Sequence, residues 1–378
     1  MQYGTVVKVA RRLVAVVIIP VAFVALLEVT VRMTGLEQRA VDGMTERLYP
    51  VAPGKEEGLF ATRVYDPLLS WRLRPGGWLP GRVGRINSHG LVGPEFSWTK
   101  PPHTVRIVAL GDSVTYGLYA CGVGIFCRKE PYPSALENLL NARTPRDRFE
   151  VLDAGVYGYS SLQGFRYYRV YLNGLDEDVV TVMFGWNDHG VRRGAEPDEF
   201  HSAWLRELTD GAYRLAVVRT AASWIALGRS PEPTPALFLP GDYQPRASRG
   251  DFEYHLELLV QAARARGTRV VLLTEPFGPL TEPFQKATIA QPWVLNKLPD
   301  YRTYIDIHRT YNESTRAVAA RLGVPLVDVE REFERYDTSR LFSPFDLVHP
   351  NDTGYRLIAQ MLLALLTGDH LLPDRATP

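Results

Sequence analysis

Ser113 stands in the run Gly111-Asp112-Ser113-Val114-Thr115-Tyr116-Gly117, directly after the β-branched apolar stretch Val105–Leu110. A serine just past the end of a buried parallel strand lies at the edge where such sheets carry their sites. If a helix begins there, its backbone N–H groups point at the serine and favour negative charge. That is the environment an attacking alkoxide and a developing oxyanion require. Thr115 occupies the place of the second glycine in a G-x-S-x-G nucleophile elbow, so the motif is a different one. Taken alone, it fits a tight strand-to-helix turn equally well.

Three further blocks carry residue types that complete this chemistry. In Asp153-Ala154-Gly155-Val156-Tyr157-Gly158-Tyr159-Ser160, Gly158 can bring a backbone N–H into a site with no side chain in the way; the alternative is a Gly-rich turn. In Phe184-Gly185-Trp186-Asn187-Asp188-His189, the Asn187 amide can donate to an oxyanion; the alternative is a turn or a helix cap. In Asp346-Leu347-Val348-His349-Pro350-Asn351, Asp346 can fold back onto one ring nitrogen of His349, which frees the other to take a serine proton. His189, beside Asp188, is the second choice for a base. His308, with Asp306 nearby, sits in a helical pattern and reads as a surface residue. Tyr116, Tyr157, Tyr159 and Trp186 lie in or beside these blocks, where they either pack or line a groove.

The elements that must position these residues follow from periodicity. The short apolar runs are Val105–Leu110, Phe149–Ala154, Val179–Phe184, Arg269–Thr274 and Val324–Val329. They alternate with Tyr132–Arg143, Leu162–Asn173, Asp251–Arg266 and Tyr304–Leu322, which carry apolar residues at three- and four-residue spacing. A last helix is predicted over about Thr353–Leu366, with Asp352 as its N-cap. Continuous apolar strands between helices predict a parallel sheet covered on both faces, a three-layer α/β/α sandwich. The long stretch between the third and fourth strands, residues 189–268, contains a helical piece over about 201–227 and a Pro-rich loop, Ser230 to Pro245.

In order and in context, the four blocks resemble those of the SGNH, or GDSL-like, hydrolase superfamily. The resemblance covers about residues 105–368. It implies a flavodoxin-like sandwich and a serine esterase in which Ser113 is the nucleophile, His349 the base and Asp346 its orienter. The Ser113 N–H, the Gly158 N–H and the Asn187 side chain would form the oxyanion hole. The resemblance implies neither cofactor nor metal. Arg85-Ile86-Asn87-Ser88-His89-Gly90, together with an apolar helix followed by Glu28 and Arg32, is similar to segments of bacterial membrane-anchored members.

Composition narrows the setting. The 378 residues suffice for one large α/β domain or two small ones, and 43 Lys and Arg against 42 Asp and Glu remove any net-charge argument for nucleic acid. Lys8, Arg11 and Arg12 precede an uncharged run from Leu13 to Leu27, which Glu28 interrupts before Val29–Val31. With no A-x-A-like cleavage site after it, the run reads as an uncleaved signal anchor whose basic flank stays in the cytoplasm. The chain would then be single-pass and its larger part extracytoplasmic, on the periplasmic side in a Gram-negative cell. A cleaved signal peptide and a buried core helix are the alternatives. The division is therefore residues 1–31 as flank and anchor, 32–104 as a Pro/Gly-rich segment or small accessory module, and 105–378 as the hydrolase-like domain.

Cys121 and Cys127 fit neither a zinc site nor a C-x-x-C motif. In an oxidising compartment they can form a disulfide closing a small loop just after the serine block, where it would shape access to the pocket; otherwise they are free thiols. The expected substrates are ester-bearing small molecules, lipids or envelope glycans. An O-acyltransferase using the same residues and an idle scaffold on the same fold are the competing functions.

Overall fold

The runs dense in Val, Ile and Leu assemble as one five-stranded parallel sheet. The computed structural model describes residues 14–49, 59–80, 84–122, 125–143, 148–190, 202–228, 243–286, 298–368 and 371–372. The strands are β1 (Thr104–Gly111), β2 (Arg148–Gly155), β3 (Val179–Met183), β4 (Arg269–Leu273) and β5 (Leu326–Val327), in the order β2-β1-β3-β4-β5. This is the flavodoxin-like order. Every residue of β1 and of β3 is buried, as expected of strands covered on both faces.

The register aligns the carboxyl ends. Gly111 pairs with Gly155 and Met183, Met183 with Leu273, and Leu273 with Val327. The loops that leave these ends therefore start from one edge. β5 is shorter than the predicted Val324–Val329, because Asp328 leaves the sheet to cap the helix Val329–Phe333 through the Arg331 N–H.

Helices cover both faces. They are α1 (Tyr132–Arg143), α2 (Ser161–Arg166), α3 (Arg249–Arg264), α4 (Tyr301–Leu322) and α5 (Asp352–Gly368). α1 packs against α5, and α3 against α4. Alternate residues of β1 (Val105, Ile107 and Ala109) join Leu136 and Leu140 of α1 and Ile358 and Leu362 of α5 in one buried cluster. The helix predicted over Leu162–Asn173 is interrupted: α2 passes into a wider π turn over Tyr167–Tyr171. Asp352 is the first residue of α5 rather than its cap. The Asn351 side chain accepts from the Thr353 and Gly354 N–H groups instead.

Before β1, Asn87 organises a turn through its side chain. It accepts from His89 and Leu91 N–H and donates to the Pro94 carbonyl. Val92 then bridges to Asp153 of β2 in antiparallel sense. Isolated bridges join Trp78 to Arg85 and Ile86 to Val92 in this stretch; residues 81–83 lie outside the described residues.

Among the described residues, 14–49, 64–71 and 202–228 form a separate compact unit. Ile19–Thr34 is helical, Gly35 takes a left-handed φ of 66°, and a second helix follows over Leu36–Leu48. Sequence periodicity missed that second helix. Its buried residues, Ala40, Val41, Met44 and Thr45, repeat at helical spacing, but charged and polar residues separate them. The helical piece expected over 201–227 is two helices, Ala203–Ala212 and Ala216–Gly228. One helix of this unit, Ala15–Thr34, is long and apolar enough to cross a membrane. Lys8, Arg11, Arg12 and Leu13 lie outside the described residues, as does most of the Pro-rich loop Ser230 to Pro245.

Candidate active site

β1 ends at Gly111, where the chain turns sharply into the single helical turn Ser113–Tyr116. The turn is possible because two strand-end glycines clear space for it. A Cβ on Gly111 would stand 2.0 Å from Thr115 Oγ1, and one on Gly155 would stand 2.3 Å from the Tyr116 nitrogen. Asp112 caps the turn by accepting from the Val114 N–H at 2.9 Å. Ser113 is the first residue of the turn, a position whose N–H has no intrahelical partner.

His349 reaches Ser113 from the loop before α5. Its Nε2 lies 2.8 Å from Ser113 Oγ, and its Nδ1 lies 2.6 Å from Asp346 Oδ2. The other oxygen, Asp346 Oδ1, accepts from the Val348 and His349 N–H groups, which locks the carboxylate in place. With Nδ1–H directed at a carboxylate, Nε2 is the nitrogen that faces the serine as an acceptor. All three residues are buried.

Gly158 follows β2 with φ +82°, a left-handed conformation that favours glycine. Arg246 donates to its carbonyl at 2.8 Å and to Gln163 Oε1 at 2.8 Å, so the peptide is held from one side. Asn187 follows β3 and donates its Nδ2 to Asp112 Oδ2 at 2.6 Å. The carboxyl ends of β1, β2 and β3 thus bring Ser113, Gly158 and Asn187 to one edge of the sheet.

Two buried acids beneath this edge escaped sequence reasoning. Burial pushes Asp112 up to about 6, and burial together with the neighbouring Asp112 charge pushes Glu275 well above the usual carboxylate range. Glu275 follows β4 and accepts from the Trp186 N–H at 2.7 Å, one residue before Asn187. Its position just past a strand end was the available signal, because the other three site blocks occupy the same position on their strands.

The second-choice histidine is engaged elsewhere. His308 Nε2 donates to the Glu275 carbonyl, and His308 Nδ1 accepts from His189 Nε2 at 2.9 Å. Burial holds His308 down to about 3 and His189 well below its ordinary value, so both rings stay neutral. The expectation that His308 is a surface residue is wrong: it is fully buried and stacks on Trp186 with ring centroids 3.8 Å apart. The reason is α4, whose inward face carries Tyr304, His308 and Tyr311.

The aromatic residues of the motifs pack rather than line a groove. Tyr116, Tyr157, Tyr159 and Trp186 are all buried, and Tyr116 meets Tyr157 edge to face at 5.4 Å. A cleft beside His349 is lined instead by Ala120, Phe126, Phe284, Tyr301 and Phe345. Ala120 and Phe126 belong to a hairpin, Leu118–Gly122 with Ile125–Arg128, closed by the disulfide Cys121–Cys127. Arg128 fixes this hairpin by donating to the Tyr116 carbonyl at 3.0 Å and to Asp153 at 3.2 Å. Phe126 faces the His349 ring edge-on at 6.2 Å.

Residues 109–357 match the model of the GDSL-like lipase/acylhydrolase family. No curated protein matches the sequence. Among solved structures, a lipase/acylhydrolase from Enterococcus faecalis is 15% identical, with 72% of this chain and 100% of that chain covered at a TM-score of 0.43. An acetylxylan esterase from Geobacillus stearothermophilus is 16% identical, with 72% and 97% covered and a TM-score of 0.41. Another acetyl xylan esterase is 16% identical, with 69% and 100% covered and a TM-score of 0.42.

Proposed function

The chain belongs to the GDSL-like lipase/acylhydrolase family, and from that premise we propose that it is a serine esterase hydrolysing carboxylic esters of O-acetyl or short-chain acyl groups. The observation that carries the reading is the line of hydrogen bonds from Asp346 through His349 to Ser113, at 2.6 Å and 2.8 Å.

In this mechanism Ser113 Oγ attacks the ester carbonyl carbon while its proton passes to His349 Nε2. Asp346 accepts from Nδ1–H and stabilises the imidazolium. The Ser113 and Gly158 N–H groups and the Asn187 amide receive the oxyanion. His349 then returns the proton to the departing alkoxide, leaving an acyl-serine. Water attacks that ester with His349 again acting as base, and the acid and Ser113 are released. The apolar cleft beside His349 suits the acyl group, because its walls are mostly carbon.

The N-terminal apolar helix is read as an uncleaved signal anchor, with the catalytic residues outside the cytoplasm. The Cys121–Cys127 disulfide supports an oxidising compartment. Envelope glycans and lipids are the substrate classes that this setting offers.

The test is release of p-nitrophenol from acetyl, butyryl and octanoyl esters by the full chain in detergent, beside Ser113→Ala. Turnover that disappears with Ser113 supports the esterase, and the chain-length profile separates acetyl removal from lipid hydrolysis. A folded protein with no turnover, which instead transfers acyl groups to an added glycan, would replace this reading with an O-acyltransferase.

A further inference from the structure

Glu28 interrupts the apolar helix Ala15–Thr34 about 9 Å along the axis from its end. A carboxylate at that depth is costly unless it is satisfied. Its partners come from a distant part of the chain. Glu28 Oε1 accepts from the Ala216 N–H and Oε2 from the Val217 N–H, each at 2.9 Å, and Arg32 donates to the same carboxylate at 2.7 Å. Glu28 is therefore the N-terminal cap of helix Ala216–Gly228, an anion where the helix dipole favours one.

The same helix is fastened twice more. Arg219 pairs with Glu37, and Arg47 donates to the Leu227 carbonyl at the helix's last turn at 2.6 Å. Ala216, Thr220 and Ser223 face inward. The outward face is Ala221, Trp224, Ile225 and Gly228, at the spacing of one helical stripe and without a charge. Trp224 is 48% exposed and Ile225 58%. The preceding helix Ala203–Ala212 exposes Trp204 and Leu208, four residues apart, at 66% and 64%.

We propose that helix Ala216–Gly228, with Trp204 and Leu208 of the helix before it, lies in the bilayer interface and is a second membrane contact of this protein. The proposal rests on the reading of Ala15–Thr34 as a membrane span. The lipid surface is the partner because the helix start is bonded to Glu28, about 9 Å from the end of the span, a depth that an interfacial helix reaches. A tryptophan-bearing apolar stripe at that level matches the aromatic belt of membrane proteins. The insertion between β3 and β4 thereby returns the chain to the membrane that the N-terminal helix crosses. Glu28, otherwise a defect in an apolar span, is the residue that joins the two.

The full chain is reconstituted into phosphatidylcholine–phosphatidylglycerol vesicles with and without 6,7-dibrominated lipid, and tryptophan emission is read for wild type and for W204F/W224F. Far-UV circular dichroism checks that the variant is folded, and flotation checks that each protein is on the vesicles. Strong quenching of wild type that is mostly lost in W204F/W224F supports the interfacial contact. Flotation with quenching equal in both proteins, or with none in either, overturns it while leaving the span intact. A chain that does not float overturns the span and the interfacial contact together.

Discussion

Asn187 donates its side-chain amide to the carboxylate of Asp112, the residue immediately before Ser113, at 2.6 Å. The other oxygen of Asp112 accepts from the Val114 N–H. One buried carboxylate thus ties the turn after β1 to the turn after β3, and it orients the amide proposed to meet the oxyanion. Replacing Asn187 with Ala should lower kcat on p-nitrophenyl acetate by about 10²–10³-fold with little change in KM. Asp112→Ala should also lower kcat, with Asp112→Asn retaining more because it keeps an acceptor oxygen. A change confined to KM would show that Asn187 serves binding and not the oxyanion.

Ser113→Ala should remove at least about 10³-fold of kcat/KM. Asp346→Asn should cost about 10⁴-fold in kcat, because the amide can no longer hold His349 with its proton on Nδ1. Thermal unfolding should barely move for Ser113→Ala. Near-wild-type turnover in either variant would remove the residue from its proposed role.

The disulfide closes a loop bounded by residues six apart. In the chain-entropy account, so small a loop contributes about 2 kcal/mol at most. Cys121→Ser with Cys127→Ser should therefore lower stability modestly. It should change KM and acyl-chain preference more clearly, since Ala120 and Phe126 line the cleft beside His349. Unchanged chain-length selectivity would separate the hairpin from substrate choice.

Burial pushes the Asp153 carboxyl up to about 7 against an ordinary 3.8, partly opposed by Arg128. Between those values the unfolded chain has lost the proton and the folded chain still holds it. Stability from this group is full below pH 4 and declines as pH rises through about 7, by at most about 1.4 kcal/mol per pH unit. Asp153→Asn lacks that slope, so its stability relative to wild type should rise between pH 4 and pH 7. Parallel pH profiles of urea midpoints would contradict the assignment.

Short apolar runs and helical spacing announced the alternating strands and helices, and α1 matches its predicted bounds, Tyr132–Arg143. The order of blocks identified the family, because a strand-end serine, glycine and asparagine and a late Asp-x-x-His each leave a local mark in the sequence. β5 shrank for an equally local reason, the Asp328 cap, which competed with strand pairing and won.

Local sequence by itself determined which residues stand at strand ends and that His349, just before the last helix, has an acid three positions before it. Tertiary structure decided what those residues touch. His189 has an acid beside it too, yet the fold turns it onto His308 and buries both. The Asp112–Glu275 pair joins the ends of β1 and β4, and the Glu28 cap joins residues 188 positions apart. No periodicity encodes such contacts. They arise because parallel register brings strand ends to one level, and because a carboxylate withdrawn from water must find donors wherever the folded chain supplies them.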